Sequence, residues 1–354
     1  MIGKTRVVNA RLFNNCEKHV KRVSFQRYCT ELRGELGGLF YLHNSLQDLV
    51  TLNSDFWPRS IEELDLEKAW QDKYVDVDGV KVHYLEGGKK ENEMFFLVHG
   101  GGAGSCAEVN YGDVIDLLSK DFHVVAADNV GFGSTPGRGP QDYTAEAQGN
   151  FLIRILETIG KRAHLTGNSH GGWLIQYIAH LRPDLVGKLV IINSLNGSPR
   201  LPDVPTGVHP YRGPPPPPTA ESIRDHYGSE VYYHKELLTE QRVRRILEVS
   251  LRNYEYDRAR TVALHEMAEK GYRNLDFQGK HISEYAHRLK MPVLLTWGRD
   301  DPSPRLEYGL ALYSRIPGAE MHILPNAKHH VMADQPERWA SVVANFLKSP
   351  TRAR

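Results

Sequence analysis

The chain has 354 residues, and its 44 basic against 43 acidic side chains give a formal charge of +1. That balance leaves no electrostatic footprint for nucleic acid or an anionic membrane, while the length allows one large domain with an insertion, or two domains, around a sizeable core. Three cysteines, Cys16, Cys29 and Cys106, form neither a disulfide framework nor a C-x-x-C metal cluster, and the odd count suits a reducing compartment.

In chain order, the opening stretch MIGKTRVVNARLFNNCEKHVKR lacks the apolar core of a secretory signal, and no run is apolar enough to span a bilayer. It is basic as far as Glu35, as a transit peptide would be, but Glu17, Glu31 and Glu35 argue against one, and a cytoplasmic protein is expected. Residues 1–70 read as a helical extension: Leu36, Leu39, Phe40, Leu42, Leu46 and Leu49 pack on something, Ser60 with Glu63 can cap a helix, and Trp57-Pro58 stops one. From Lys73 the pattern alternates through YVDVDGVKVHYLEGG with a turn at Asp78-Gly79, which predicts a hairpin. Short apolar runs then alternate with helical spacing: Met94–Val98, His123–Ala127, Ala163–Thr166, Leu189–Asn193, Pro292–Trp297 and Glu320–Leu324. This alternation predicts an α/β fold, a mostly parallel sheet covered by helices on both faces, with core segments at 71–194 and 291–354. Residues 195–290 break the alternation. They are expected to form an inserted helical cap, approached by the stiff run Pro214 to Pro218.

The chemistry centres on Leu165-Thr166-Gly167-Asn168-Ser169-His170-Gly171-Gly172-Trp173. A serine with glycines two residues before and two after, between a strand and an apolar helix pattern, is a nucleophile elbow. Side chains at Gly167 and Gly171 would collide with the neighbouring strand or helix. A serine hydroxyl needs a base, and the base an orienting acid. Trp297-Gly298-Arg299-Asp300-Asp301 offers the acid, Asp301 in preference to Asp300. Leu324-Pro325-Asn326-Ala327-Lys328-His329-His330 offers the base, His329 in preference to His330. Charge developing on an attacked carbonyl needs fixed donors. The loop His99-Gly100-Gly101-Gly102-Ala103-Gly104 follows a strand and can supply them through the amide of Gly101, together with that of His170. A phosphate cradle is the weaker reading of these glycines, because neither G-K-[ST] nor G-x-G-x-x-G is completed.

On the segments HGGGAGSCAEVNYGDV, DNVGFGSTP, LTGNSHGG, TWGRDDPSP and LPNAKHHVMADQPERW, residues 72–349 resemble the α/β-hydrolase superfamily and, within it, the meta-cleavage-product hydrolases that cut carbon–carbon bonds in aromatic degradation. The resemblance implies an α/β-hydrolase fold with Ser169, Asp301 and His329 as catalytic triad and Gly101 with His170 as oxyanion hole, working without cofactor or metal. It also implies that Asn110 and Asn168 help to hold the dienoate end of a carboxylate-bearing small molecule and that a cap arginine, Arg245 or its neighbour Arg244, binds the carboxylate. Gly102 and His330 join this substrate-contacting set. An arginine suits a carboxylate because its planar fork pairs with both oxygens. The chain departs from the family pattern at His170, where an apolar residue is usual, and at His330, where tryptophan is usual. Both departures are expected to make the pocket wall polar and titratable.

The leading expectation is a serine hydrolase that cleaves the carbon–carbon bond of a 2-hydroxy-6-oxo-dienoate, with no nucleic-acid or membrane partner and homo-oligomerisation left open. The alternatives are a carboxylesterase on monoesters of aromatic acids and, of another class, a cofactor-free ring-cleaving dioxygenase of the same fold. The latter is disfavoured because Asn193 and Asn196 stand after the sixth strand, where those enzymes have their acid. A ligand receptor on a hydrolase scaffold is disfavoured by the intact serine, acid and histidine.

Overall fold

The computed structural model describes residues 68–160, 162–195, 198, 201–204, 213–270 and 284–350. The chain divides into a unit Met1–Glu67 and a unit Lys68–Arg354. The helical extension expected over 1–70 lies outside the described residues except for its last three, of which Trp70 already opens the first strand.

Eight strands form one sheet: β1 Trp70–Val77, β2 Val80–Gly87, β3 Met94–Val98, β4 His123–Ala127, β5 Ala163–Asn168, β6 Val186–Ile192, β7 Val293–Gly298 and β8 Glu320–Leu324, in the order β1-β2-β4-β3-β5-β6-β7-β8. The first two make the antiparallel hairpin about Asp78-Gly79, β2 runs antiparallel to β4, and every pair beyond is parallel. Parallel strands are covered on both faces, so they read as continuous apolar runs. Within β3 successive side chains go to opposite faces. Phe96 and Val98 join Trp173, Ile175 and Phe151 in one core, while Phe95 and Leu97 join Tyr111, Trp339 and Val343 in the other.

The covering helices follow their local signals. Ala145–Ile159 (α1) begins where the Thr144 hydroxyl accepts from the Ala147 amide at 3.2 Å, satisfying one of the unpaired first-turn donors. His170–Leu181 (α2) follows Ser169 directly, and Pro336–Lys348 (α3) starts with proline at its first position, where the missing N–H costs nothing. Between β6 and β7 the insertion contributes Ala220–His226 (α4), Glu240–Arg252 (α5) and Tyr254–Glu269 (α6). Ile223, Tyr227, Tyr232, Val243, Ile246 and Val249 of the insertion bury against Cys106, Val109 and Ala333 of the core. No helix among the described residues is long and apolar enough to cross a membrane.

The sheet order reverses around β3, so connections leave β3 and β5 in opposite directions. In such sheets a crevice opens at the carboxyl ends of the strands, and the segments after β3, β5, β6, β7 and β8 all emerge there.

Candidate active site

Ser169 sits between β5 and α2 with φ 53° and ψ −117°, a backbone conformation that a residue with a side chain rarely adopts and that packing must hold. The two flanking glycines explain how. A Cβ at Gly167 would lie 2.3 Å from Gly171 backbone atoms, and one at Gly171 would lie 2.3 Å from Val98 O and 2.4 Å from His99 O. Strand, helix and the loop after β3 therefore close on each other without room for any side chain, and Ser169 is left partly exposed at the tip.

Behind it, His329 Nδ1 lies 2.8 Å from Asp301 Oδ2, and the Asp301 carboxylate is fully buried. Asp301 Oδ1 accepts from the Ser303 amide at 2.8 Å. The structure thus pairs His329 with Asp301. Asp300 faces outward, taking the Asn326 amide at 2.9 Å and lying beside Arg299. Asn193, left-handed at φ 42°, donates from Nδ2 to Asp301 Oδ2 and accepts the Gly298 amide on Oδ1 at 3.2 Å. One buried amide side chain therefore fixes the acid to the end of β7. In the sequence alone Asn193 is notable only as an asparagine where an acid could stand.

Across the site, Gly101 packs so tightly on His170 that a Cβ there would meet the histidine Cβ at 3.0 Å. The amide of His170 opens a helix, where N–H groups have no intrahelical acceptor and the dipole is positive. The glycine loop is anchored by His99, whose Nε2 accepts the Asn129 amide at 3.0 Å, so Nδ1 carries the proton and donates to Gly100 O at 2.7 Å. Burial holds His99 below the ordinary histidine range.

Asn168 donates to His329 O at 3.0 Å. Asn110, fully buried, stands 3.4 Å from both Asn168 Oδ1 and His330 Nε2. With its amide turned over it donates to Cys106 O at 3.2 Å and accepts Gly100 N at 3.3 Å. In either orientation it links the loop after β3 to the cluster around Ser169. Gly102 lines a cavity of about 60 Å³ between this loop and the insertion.

Arg245, the expected carboxylate ligand, has acidic partners within the chain. Its Nε donates to Glu108 Oε2 at 2.7 Å and its guanidinium also pairs with Glu248, so carboxylates of the chain itself take its charge. The histidines, moreover, make the wall polar without making it titratable near neutrality. Desolvation, aided by the positive charge of Arg260, pushes His170 down to about 3. His330, packed edge-on against Tyr227 and Tyr232, is held well below the usual range, first by burial and then by His329. Arg260 on α6 and Gln148 on α1, which hydrogen-bonds His170, carried no sequence signal because neither stands in a motif.

The α/β hydrolase family model matches residues 95–342. A 2-hydroxy-6-oxononadienedioate/2-hydroxy-6-oxononatrienedioate hydrolase of Burkholderia vietnamiensis is 30% identical over 78% of this chain and 95% of its own length. A 2-hydroxy-6-oxo-6-(2'-aminophenyl)hexa-2,4-dienoic acid hydrolase of Metapseudomonas resinovorans is 27% identical over 79% and 92%. The solved meta-cleavage product hydrolase CumD of Pseudomonas fluorescens IP01 superposes with a TM-score of 0.64 at 24% identity, covering 77% of this chain and 96% of that one, a likeness of fold. With its sheet order, its strained serine between two obligatory glycines and these matches, the chain belongs to the α/β-hydrolase family.

Proposed function

We propose that the protein is a serine hydrolase that cleaves the C5–C6 bond of a 2-hydroxy-6-oxo-dienoate ring-fission product, with Ser169, His329 and Asp301 as its catalytic triad. The observation that carries the reading is the pair of part-buried His329 and buried Asp301 at 2.8 Å, set at the carboxyl ends of the strands with the strained Ser169. The named substrates of the relatives at 30% and 27% identity support the choice of a dienoate. Residues 195–290 serve as a cap that keeps water from the substrate.

The dienol first moves its O2 proton to C5, giving a ketone at C2 and an sp³ C5. Ser169 then attacks C6 while His329 takes its proton, and Asp301 stabilises the imidazolium. The oxyanion on C6 is met by the amides of Gly101 and His170. Collapse breaks C5–C6. The electron pair passes through the conjugated chain to O2, which takes the proton from His329 and leaves as 2-hydroxypenta-2,4-dienoate. Water, deprotonated by His329, then releases the acyl group from Ser169 as a carboxylate. The buried asparagines Asn110 and Asn168 hold the dienoate end.

The test offers the purified protein a coloured dienoate and, separately, aryl esters and monoesters of aromatic dicarboxylic acids. Bleaching at a kcat/KM well above ester turnover supports this reading. Ester turnover beside an unbleached dienoate overturns it in favour of a carboxylesterase.

A further inference from the structure

The steps above leave two polar side chains beside the oxyanion loop unused. Arg260 reaches back from α6 until its Nη2 lies 3.5 Å from Gly101 O, with its guanidinium over the Phe132 ring at 5.2 Å. Its side chain is 13% exposed. Asp257 takes Nη2 at 2.6 Å, but the buried Nε has no partner among the described residues. Gln148, fully buried, lies with Oε1 2.8 Å from His170 Nε2, and its buried Nε2 likewise has no partner among the described residues. His170 stays neutral near pH 7, so its Nε2 proton serves the Gln148 oxygen and both Gln148 amide protons are left to give. Buried donors without acceptors are costly. Here they belong to a guanidinium that contacts Gly101 and a carboxamide bonded to His170, next to the proposed oxyanion donors. Phe132 and Asp257, which contact Arg260, also wall the neighbouring cavity of about 60 Å³ beside Gly102.

We propose that Arg260 and Gln148 form an anion subsite for a second carboxylate, carried on the acyl side of C6, so that the preferred substrate is a dicarboxylate. The proposal rests on the carbon–carbon hydrolase reading. The chemistry fits a nine-carbon dienedioate. Only C7 and C8 separate its C6 carbonyl from the C9 carboxylate, as only Gly101 separates the oxyanion donor from the Arg260 contact. A guanidinium fork pairs with both oxygens of such a group. Arg260 contacts the loop residue Gly101, whereas Arg245 pairs with Glu108.

The test compares kcat/KM for 2-hydroxy-6-oxonona-2,4-dienedioate with that for 2-hydroxy-6-oxo-6-phenylhexa-2,4-dienoate, which keeps the dienoate carboxylate but has an uncharged acyl side. Arg260→Gln is expected to lower the ratio of the two at least about 30-fold, mainly through KM of the diacid. Arg260→Lys restores part of it, and Gln148→Met, on a different helix, lowers it several-fold should the arginine variant fail to fold. An unchanged ratio in both Arg260→Gln and Gln148→Met overturns the subsite. Phenyl hemisuccinate against phenyl butyrate asks the same question of ester cleavage. A selective loss there, with neither dienoate bleached by the wild type, retires the carbon–carbon reading and leaves the subsite standing. Bleached dienoates with an unselective loss retire the subsite alone.

Discussion

At the scale of single residues, the site is held by contacts that permit few substitutions. Gly171→Ala would drive a methyl to 2.3 Å from Val98 O and 2.4 Å from His99 O, both backbone atoms that cannot swing aside. It should destabilise the fold by about 3 kcal/mol, read from denaturant unfolding, and reduce turnover with it. Asn193→Ala removes the donor that pins Asp301 without touching substrate. The expected result is a kcat lowered about ten- to a hundredfold with KM little changed, and an equal rise in KM would instead place Asn193 in the substrate pocket. Ser169, Asp301 and His329 were legible because each follows a strand end within a short motif. Asn193 and Arg260 carried no such signal, because their contacts with Asp301 and Gly101 join segments far apart in sequence. Arg245 was read from a basic run on a helix, which shows that a charge is present but not which acid meets it. That acid, Glu108, lies 137 positions away.

At the scale of elements, each predicted strand has its counterpart, and the shifts have physical causes. β6 begins at Val186 rather than Leu189, since Gly187 and Lys188 interrupt the apolar run. The Lys188 ammonium is nevertheless buried, donating to Phe346 O and Leu347 O at 2.9 and 3.0 Å at the end of α3. β8, at the edge, keeps only Leu324 fully buried. The helices of the insertion show the same logic in reverse: α5 has one apolar stripe, Val243, Ile246 and Val249, and it packs on the glycine loop. Ile246 is fully buried, and its backbone and side chain press on the left-handed Gly104. Ile246→Ala should cost about 2–4 kcal/mol by thermal or denaturant unfolding.

Over the whole molecule, desolvated histidines contribute to the response to acid. His99, His170 and His330 are held below their ordinary values by burial, so below pH 6.5 the unfolded chain binds protons that the folded chain refuses. Stability therefore rises with pH through this window and is lost as pH falls beneath it. His83, raised between Asp128 and Asp72 against the opposing effect of burial, acts in the other direction, its contribution present below pH 6.5 and fading as pH rises through its folded value. His330→Phe removes one proton-refusing ring from an aromatic setting. Between pH 6 and 5 it should flatten the slope of unfolding free energy by about 1.4 kcal/mol per pH unit, and an unchanged slope would show that His330 is protonated in the folded state.

The central claim, that Ser169 opens a carbon–carbon bond, is tested most directly by following the visible absorbance of a 2-hydroxy-6-oxo-dienoate with the wild type and with Ser169→Ala under identical conditions. The wild type is expected to bleach it rapidly to 2-hydroxypenta-2,4-dienoate, and the variant to show a kcat at least about 10⁴-fold lower with the dienoate still bound. Bleaching by Ser169→Ala at a wild-type rate, or none by either protein, would contradict the claim.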